Sequence, residues 1–532
     1  MAIKSAFPDV FIPDESLAEF VFDKARDYGD RTALVNGTTE EIVTYSQFRQ
    51  YVIAIGSGLL RHGVKQGDIV AMYSTNSPEF AMMFFGALAM GATVTMVNPL
   101  YTADELERQL NDSTASFIFT NGELSHNVRK AVKQIPTMKA IFSLGLCEGF
   151  IAFQSLCEDD GSLLDAPRHM PSSSVAVLPY SSGTTGLSKG VMLTHRNLVG
   201  NILQYSYNQF VVDPKPHADV MLGLLPFFHS FGMTATMCVG MALGVKVVTM
   251  AKYEPQRMLY LVEKYKITIL QAVPPIVLFL AKSESVSKYN LSSLRVIQSG
   301  AAPLGSDTEQ EVMKRLPTCV VIQGYGLTET SPACFMAPKN LIKPGSIGVL
   351  CPNTEAKIVD PETRSTVGPG IEGEVCLRGS QIMKGYFNNT VATAASIDTD
   401  GWFSTGDLGY YDDDKHFFIV DRLKELIKYK GYQVAPAELE ALLVAHPSIE
   451  DAAVIGVPHE EEGEYPKAYV VLKPGHEVSK ADIITHVNSK LASFKHIRAG
   501  VEFLREIPKS NSGKILRRKL RVHAKKQLQS KL

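Results

Sequence analysis

The sequence predicts an α/β protein, with a large N-terminal domain of parallel and mixed sheets covered by helices and a small, mobile α+β C-terminal domain. Three observations carry this expectation. The chain has 532 residues, more than one hydrophobic core normally serves. From Ile69 onward, short apolar runs alternate with helix-length segments, the pattern of crossover units in a parallel sheet. Near residue 421 the composition changes: Asp421 to Gly431 packs six charges into eleven residues, which suits a linker. The remainder of the chain, from there to Leu532, has an ordinary domain size. The expected division is 1–423 and 424–532.

Helical patterns dominate from Ser16 to Gly63. Strand, helix and strand are then expected at Ile69–Tyr73, Ser77–Met90 and Ala92–Met96. A helix over Ala103–Asn111 leads to a strand at Phe117–Thr120, whereas Gly145–Arg168 has no clear period and reads as surface wrapping. Thr194 suits the N-cap of a helix ending at Tyr205, and Pro255 the first turn of another. In the small domain a helix is expected at Pro436–Val444 and strands at Ala452–Val457 and Ala468–Leu472. Ser479 with Asp482 reads as a capping box.

The most informative stretch, Tyr180 to Thr194, reads Y-S-S-G-T-T-G-L-S-K-G-V-M-L-T. Five of the eight residues from Ser181 to Ser188 are hydroxyl-bearing, and apolar runs flank them. Glycines let backbone N–H groups converge on an anion, and Lys189 adds a mobile charge suited to polyphosphate. A flexible surface loop is the plain alternative. The Walker A pattern is excluded, because Gly183 and Gly186 are too close and Gly190 follows Lys189.

Composition narrows the partners. The formal net charge of −2 argues against nucleic acid, whose binding needs a basic surface. Seven cysteines without a C-x-x-C pair suggest neither a disulfide framework nor a zinc site. Residues 80–97 and 220–245 carry no Asp, Glu, Lys or Arg, long enough to be weighed as membrane spans. Their interspersed glycines, Pro226 and His229 fit buried helix-and-strand units better, so no membrane span is expected.

The stretch S-S-G-T-T-G-L-S-K-G-V-M-L-T-H resembles the phosphate-binding signature of the adenylate-forming superfamily, which comprises acyl- and aryl-CoA ligases, beetle luciferases and peptide-synthetase adenylation domains. It is most similar to the 4-coumarate–CoA ligase group, with Ser188 where that group usually has proline. The resemblance spans essentially the whole chain. It implies that Ser181, Ser182, Gly183, Thr184, Thr185, Gly186 and Lys189 bind the phosphates of ATP. Q-G-Y-G-L-T-E, from Gln323 to Glu329, resembles the second signature. On its own this stretch is a strand-ending turn. The resemblance assigns Gln323 and Gly324 to the nucleotide site, Tyr325 to adenine stacking, and Thr328 and Glu329 to phosphate and Mg²⁺. Asp407, in G-W-F-S-T-G-D, becomes the ribose ligand with Arg422 as its helper.

The resemblance also places His229 beside the acyl pocket and the α-phosphate, although a histidine among aromatics is more often a core residue. The run Pro508 to Arg518 looks like a basic surface; its similarity to the final signature nominates Lys514 as the catalytic lysine. Lys424 becomes the hinge. Lys428 and Gln433 serve the second state or the nucleotide, and Lys430 and Gly431 the CoA route. Gly300-Ala301-Ala302 lie near the substrate carboxylate. The implied acyl pocket is His229, Phe231, Ala235, Gly300, Ala301, Gly324, Pro332 and Ala333, with the far end of the substrate apolar or weakly polar.

The implied activity is an ATP-dependent carboxylate–CoA ligase with ATP, Mg²⁺ and coenzyme A. The acid is an aryl-propenoic (4-coumarate-like) acid or a medium- or long-chain fatty acid. A luciferase-type monooxygenase acting on an adenylated acid shares these motifs and is the alternative. The final residues Ser530-Lys531-Leu532 match a tripeptide read by the peroxisomal import receptor, which makes the peroxisome the expected location and the cytoplasm the alternative. Deleting Leu532 should leave activity intact and disperse a fluorescent fusion from peroxisomes; unchanged puncta would remove the targeting expectation.

Overall fold

The computed structural model describes residues 2–182, 188–429, 432–459, 462–491, 493–510 and 513–529. Two large sheets form the body of the N-terminal domain. One has eight strands, with Thr93–Met96, Ile69–Tyr73, Phe117–Asn121 and Ala140–Leu144 parallel at its centre. The antiparallel pair Val175–Ser182 and Ser188–Thr194 lies toward one side. The other has seven strands, and Val320–Gln323, Val296–Ser299, Ile269–Ala272, Val220–Gly223, Lys246–Thr249 and Thr32–Asn36 run parallel across it. These strands are almost wholly buried, which explains their continuous apolar runs.

Helices dominate from Ser16 to Gly63, as expected, but two strands lie between them. Between the helices Leu17–Arg26 and Tyr45–Arg61 the chain forms the strands Thr32–Asn36 and Ile42–Thr44. Thr32–Asn36 completes the seven-stranded sheet by pairing with Lys246–Thr249, a partner more than two hundred residues away that no local period announces. Residues 145–168 also hold more structure than expected. Ile151–Ala152 adds an edge strand, and Phe153–Cys157 is a short helix whose Phe153 and Leu156 are buried.

Neither apolar stretch weighed as a membrane span is one helix. Residues 80–97 are the buried remainder of the helix Pro78–Ala89 and the strand Thr93–Met96. Residues 220–245 are the strand Val220–Gly223, a π-helix Phe231–Cys238 and a short α-helix Val239–Leu243. Among the described residues, no helix is long and apolar enough to cross a membrane.

A third sheet is antiparallel and five-stranded, ending in Phe403–Tyr411 and Phe417–Arg422. The charged segment expected to be a linker is mostly strand. Asp421 and Arg422 close this third sheet, and Ile427–Tyr429 opens the sheet of the small domain. Only residues 423–426 connect them, and there Glu425 pairs with Arg521 at 2.6 Å. In the small domain, Gly463–Leu472 pairs with Ile449–His459 on one side and Ile427–Tyr429 on the other. The helix Lys480–Asn488 starts without a full capping box. Ser479 Oγ accepts from the Asp482 N–H at 3.1 Å, but no return bond reaches the cap N–H. Aspartate is one methylene shorter than the glutamate that closes such a box, and its carboxylate accepts from the Ser479 hydroxyl instead.

Tyr45 ties the first helices to the seven-stranded sheet. It is fully buried, and its hydroxyl lies 2.9 Å from the Gly240 carbonyl and 3.0 Å from that of Val245. Tyr45→Phe should cost about 1–3 kcal/mol, since it strips buried carbonyls of their donor. A lowered urea midpoint would register this, and an unchanged midpoint would contradict it.

Candidate active site

Several sheets deliver residues to one cavity. The seven-stranded sheet supplies its floor from the carboxyl ends of parallel strands, where α/β sheets place ligands. Gly300 follows Val296–Ser299, Gly324 follows Val320–Gln323, and His229 lies shortly after Val220–Gly223. The π-helix presents Phe231 and Ala235; such helices recur at functional sites. Two glycines are sterically required. A Cβ on Gly300 would stand 2.8 Å from the Phe231 ring, and one on Gly326 would stand 1.6 Å from the Pro332 carbonyl oxygen. Ala301 sits at φ 69°, a left-handed conformation that costs a non-glycine residue of order 1–3 kcal/mol.

All eight residues expected to form the acyl pocket line this cavity, namely His229, Phe231, Ala235, Gly300, Ala301, Gly324, Pro332 and Ala333. Tyr325, Thr328 and Lys514 line it too. Sequence reasoning missed Tyr205 and Gln298, which add a polar edge. The Tyr205 hydroxyl donates to Gln298 Oε1, and Gln271 Nε2 donates to the Tyr205 oxygen at 3.1 Å. Among the described residues, Gln298 Nε2 meets only the Met336 sulfur, at 3.3 Å, a weak acceptor. A glutamine toward the end of a buried strand was the available signal.

The eight-stranded sheet contributes the hairpin whose ends were read as a phosphate cradle. Ser181 stands opposite Lys189, and Ser182 opposite Ser188. The cradle's tip, Gly183, Thr184, Thr185 and Gly186, lies outside the described residues, as does the Ser182 side chain. Ser181 Oγ donates to Glu329 Oε1 at 2.8 Å, and the Tyr386 hydroxyl donates to the same oxygen at 2.9 Å. Lys189 lies over the Tyr386 ring, its ammonium 4.8 Å from the centroid.

Glu329 is buried, and its Oε2 accepts no hydrogen bond from the described residues. A carboxylate oxygen left free by the described residues fits Mg²⁺, which is usually held by one or two carboxylates and the substrate's own phosphates. Among the described residues, no group of three or more His, Cys, Asp or Glu forms a protein-only metal cage.

The third sheet adds Asp407 and Arg422, paired across adjacent strands. Arg422 Nε lies 3.1 Å from Asp407 Oδ1, while the Tyr325 hydroxyl donates to Asp407 Oδ2 at 2.6 Å. Burial pushes the Asp407 carboxyl above the usual range, against the pull of Arg422. The Tyr325 ring meets Phe335 edge-on, with centroids 5.7 Å apart. Gln323 departs from the expected nucleotide contact. Its amide is occupied by Leu304 N–H and C=O, at 3.0 Å each, and by Glu309 at 2.8 Å. Its side chain lines a separate small cavity with Glu309 and His416.

The small domain supplies Lys514. The turn before it is held by Ser510, whose N–H donates to the Lys514 carbonyl at 2.8 Å and whose Oγ accepts from the Lys514 N–H at 3.2 Å. Desolvation lowers the Lys514 ammonium to about 8, with Arg422 adding to the depression. Burial, and then the charge of Lys514, holds His229 well below its ordinary value. His229 is therefore neutral at physiological pH. Its Nδ1 accepts from the Phe231 N–H at 3.3 Å, which leaves the ring proton on Nε2.

The hinge residues are not gathered into the cavity. Lys424, within the connecting turn, and Lys428, on the strand after it, are exposed, and Lys428 pairs in register with Gln433. Lys430 and Gly431, the Gln433 side chain, and Ser530, Lys531 and Leu532 lie outside the described residues.

Comparison with known proteins agrees with this architecture. The family model described as AMP-binding enzyme matches residues 21–387, and that for the AMP-binding enzyme C-terminal domain matches 438–514. The chain is 43% identical to a 4-coumarate–CoA ligase of Vanilla planifolia over 530 residues, covering 98% of this chain and 95% of the relative. It is 38% identical to a probable 4-coumarate–CoA ligase 1 of Dictyostelium discoideum, with 97% of each covered. Among solved structures, the anthranilate CoA ligase AuaEII in complex with anthranoyl-AMP superposes with a TM-score of 0.89 at 26% identity, covering 96% of this chain and 98% of that one. ATP-bound MatB from Rhodopseudomonas palustris gives 0.86 at 27%, covering 95% and 98%. With both of its domains matched and near full-length relatives, this chain belongs to the AMP-binding enzyme family.

Proposed function

We propose that this AMP-forming acid–CoA ligase activates an aryl-propenoic acid of the 4-coumarate type. The observation that carries the substrate class is the polar edge of the cavity. Among the described residues, Gln298 Nε2 has only a thioether for a partner, so a hydroxyl or ether oxygen at the far end of an aryl acid would satisfy it. An alkyl chain would leave this buried donor unpaired, which is costly. Phe231, Tyr205 and Phe335 give the remaining wall an aromatic face. The ligases of similar sequence named for 4-coumarate support the same choice.

In the first half-reaction a substrate carboxylate oxygen attacks the α-phosphorus of ATP, and pyrophosphate leaves. Lys514 lies in the cavity to meet the negative charge that builds at the transferring phosphoryl centre. His229, neutral and protonated on Nε2, offers a hydrogen bond rather than a second positive charge. Asp407 with Arg422 holds the ribose hydroxyls, and Tyr325 the base. Glu329 would hold Mg²⁺, which when bound neutralises phosphate charge. In the second half-reaction the CoA sulfur attacks the acyl carbonyl, the C–O bond to phosphate breaks, and AMP leaves. A small-domain rotation about Lys424, the proposed boundary of the two domains, opens the way for the thiol.

ATP-dependent thioester formation should be measured with coumarate, caffeate, phenylacetate, octanoate and palmitate. The hydroxycinnamates should give the highest kcat/KM. A preference for octanoate or palmitate would overturn the substrate class, and pyrophosphate without thioester would overturn the acceptor. The titration of Lys514 sets a pH dependence. Its ammonium is charged below about 8 and neutral above it, so kcat/KM for adenylation should fall as pH rises through that value. Lys514→Ala should lose at least ~10²-fold and the alkaline limb with it; a limb that survives the substitution would remove the assignment.

A further inference from the structure

The helix Pro436–Val444, the first of the small domain, has bare ends. Its N-cap is Ala435, which offers no side-chain acceptor, and Pro436 has no N–H. The first free donor is therefore the Ala437 N–H. It donates at 2.9 Å to Asp421 Oδ2, on the last strand of the large domain. At the other end, the Val444 carbonyl belongs to the last turn, where carbonyls lack intrahelical partners. It accepts from Lys282 Nζ at 3.0 Å. Lys282 is the last residue of the helix Pro274–Lys282, also in the large domain. An anion at the N-terminus and a cation at the C-terminus are the favourable sense of the helix dipole. Both charges come from the domain the helix does not belong to.

The same large-domain helix reaches the small domain a second time. Val273 and Pro275, at its start, lie 3.1 and 3.6 Å from where a Cβ on Gly513 would stand. Gly513 immediately precedes Lys514. The helix Pro274–Lys282 thus touches the small domain at the catalytic turn and at the end of its first helix. The apolar seam between the domains is small: Leu408, Leu426 and Ala435, with Val420 and Leu423 against them. The internal core of the small domain is a separate cluster. An interface with so little apolar seam leaves much of the holding to its polar contacts. Asp421 precedes Lys424 and Ala437 lies beyond it in the chain, so a rotation about Lys424 must break the Asp421 contact.

We propose that Lys282 and Asp421 clamp the helix Pro436–Val444 by its two ends, and so hold the small domain in the arrangement that delivers Lys514 to the cavity. They are positioning residues for adenylation, and neither lines the cavity. The clamp favours the first half-reaction and opposes the second, because it must open before the thiol can enter. This inference rests on the two-step ligase reading.

The test separates the half-reactions in the full-length enzyme. Lys282→Met should slow pyrophosphate release from ATP and coumarate by about tenfold, the worth of one hydrogen bond to a charged group. Thioester formation from CoA and supplied coumaroyl-adenylate should be unchanged or faster, and Lys282→Arg should restore adenylation. A second measurement uses no substrate. Trypsin should cut the segment after Arg422 faster in Lys282→Met than in the parent enzyme, and at the parental rate in Lys282→Arg. Equal loss in both half-reactions would overturn the clamp, and so would unchanged adenylation. Trypsin cleavage that does not respond to Lys282→Met would overturn it independently of the ligase reading.

Discussion

A lysine ammonium buried in a cavity between two domains is the constraint on which the rest of this structure depends. Taking the Lys514 charge out of water is unfavourable, and the depression of its titration to about 8 is the measure of that penalty. Asp407 and Glu329 pull the other way, but Arg422 and Lys424 offset them. The site therefore carries an under-compensated positive charge that is best satisfied by an anion. A polyphosphate with a carboxylate beside it supplies that anion. Burial, with the Lys514 charge added to it, keeps His229 neutral, so the acyl side of the cavity gains a hydrogen-bond donor without a second cation.

The fold serves this arrangement by bringing separate sheets to one point. The seven-stranded sheet gives the acyl floor at its carboxyl edge, the eight-stranded sheet gives Ser181 and Lys189, and the antiparallel sheet gives the Asp407–Arg422 pair. Glu329, in the turn between the strands Tyr325–Gly326 and Ala333–Met336, is tied to the eight-stranded sheet through the hydroxyls of Ser181 and Tyr386. Among the described residues, Lys514 is the one residue of the small domain that lines the cavity. The two-step reaction proposed above needs that lysine for the first step and its absence for the second.

Much of this was legible in the sequence because the relevant residues lie in short contiguous motifs. Gly300 with Ala301, Gly324 to Thr328, and His229 with Phe231 and Ala235 each sit just after a strand or at the start of one helix, so a local pattern carried them together to the cavity. Tyr205 and Gln298 were missed because each looks locally like core, and their partnership crosses ninety-three residues. The strand Thr32–Asn36 was missed for the same reason, since its pairing partner is remote. The charged stretch at 421–431 misled in the opposite direction. Charge density suggested solvated linker, but Asp421, Arg422 and Glu425 are spent on Ala437, Asp407 and Arg521. Gln323 reads as a nucleotide ligand from its motif, yet Leu304 and Glu309 occupy its amide.

Lys514 rests inside the cavity in the free enzyme, and every role given to the small domain depends on that placement. The most direct test is the titration of this one amine, monitored by NMR of the ¹³C-dimethylated protein with Lys514→Arg to assign the resonance. A midpoint near 8 that moves upward when ATP is added is the result expected of a desolvated ammonium awaiting an anion. A midpoint at the ordinary lysine value of about 10.4, indifferent to ATP, would mean that Lys514 stands in water and that the docked arrangement is not the resting state.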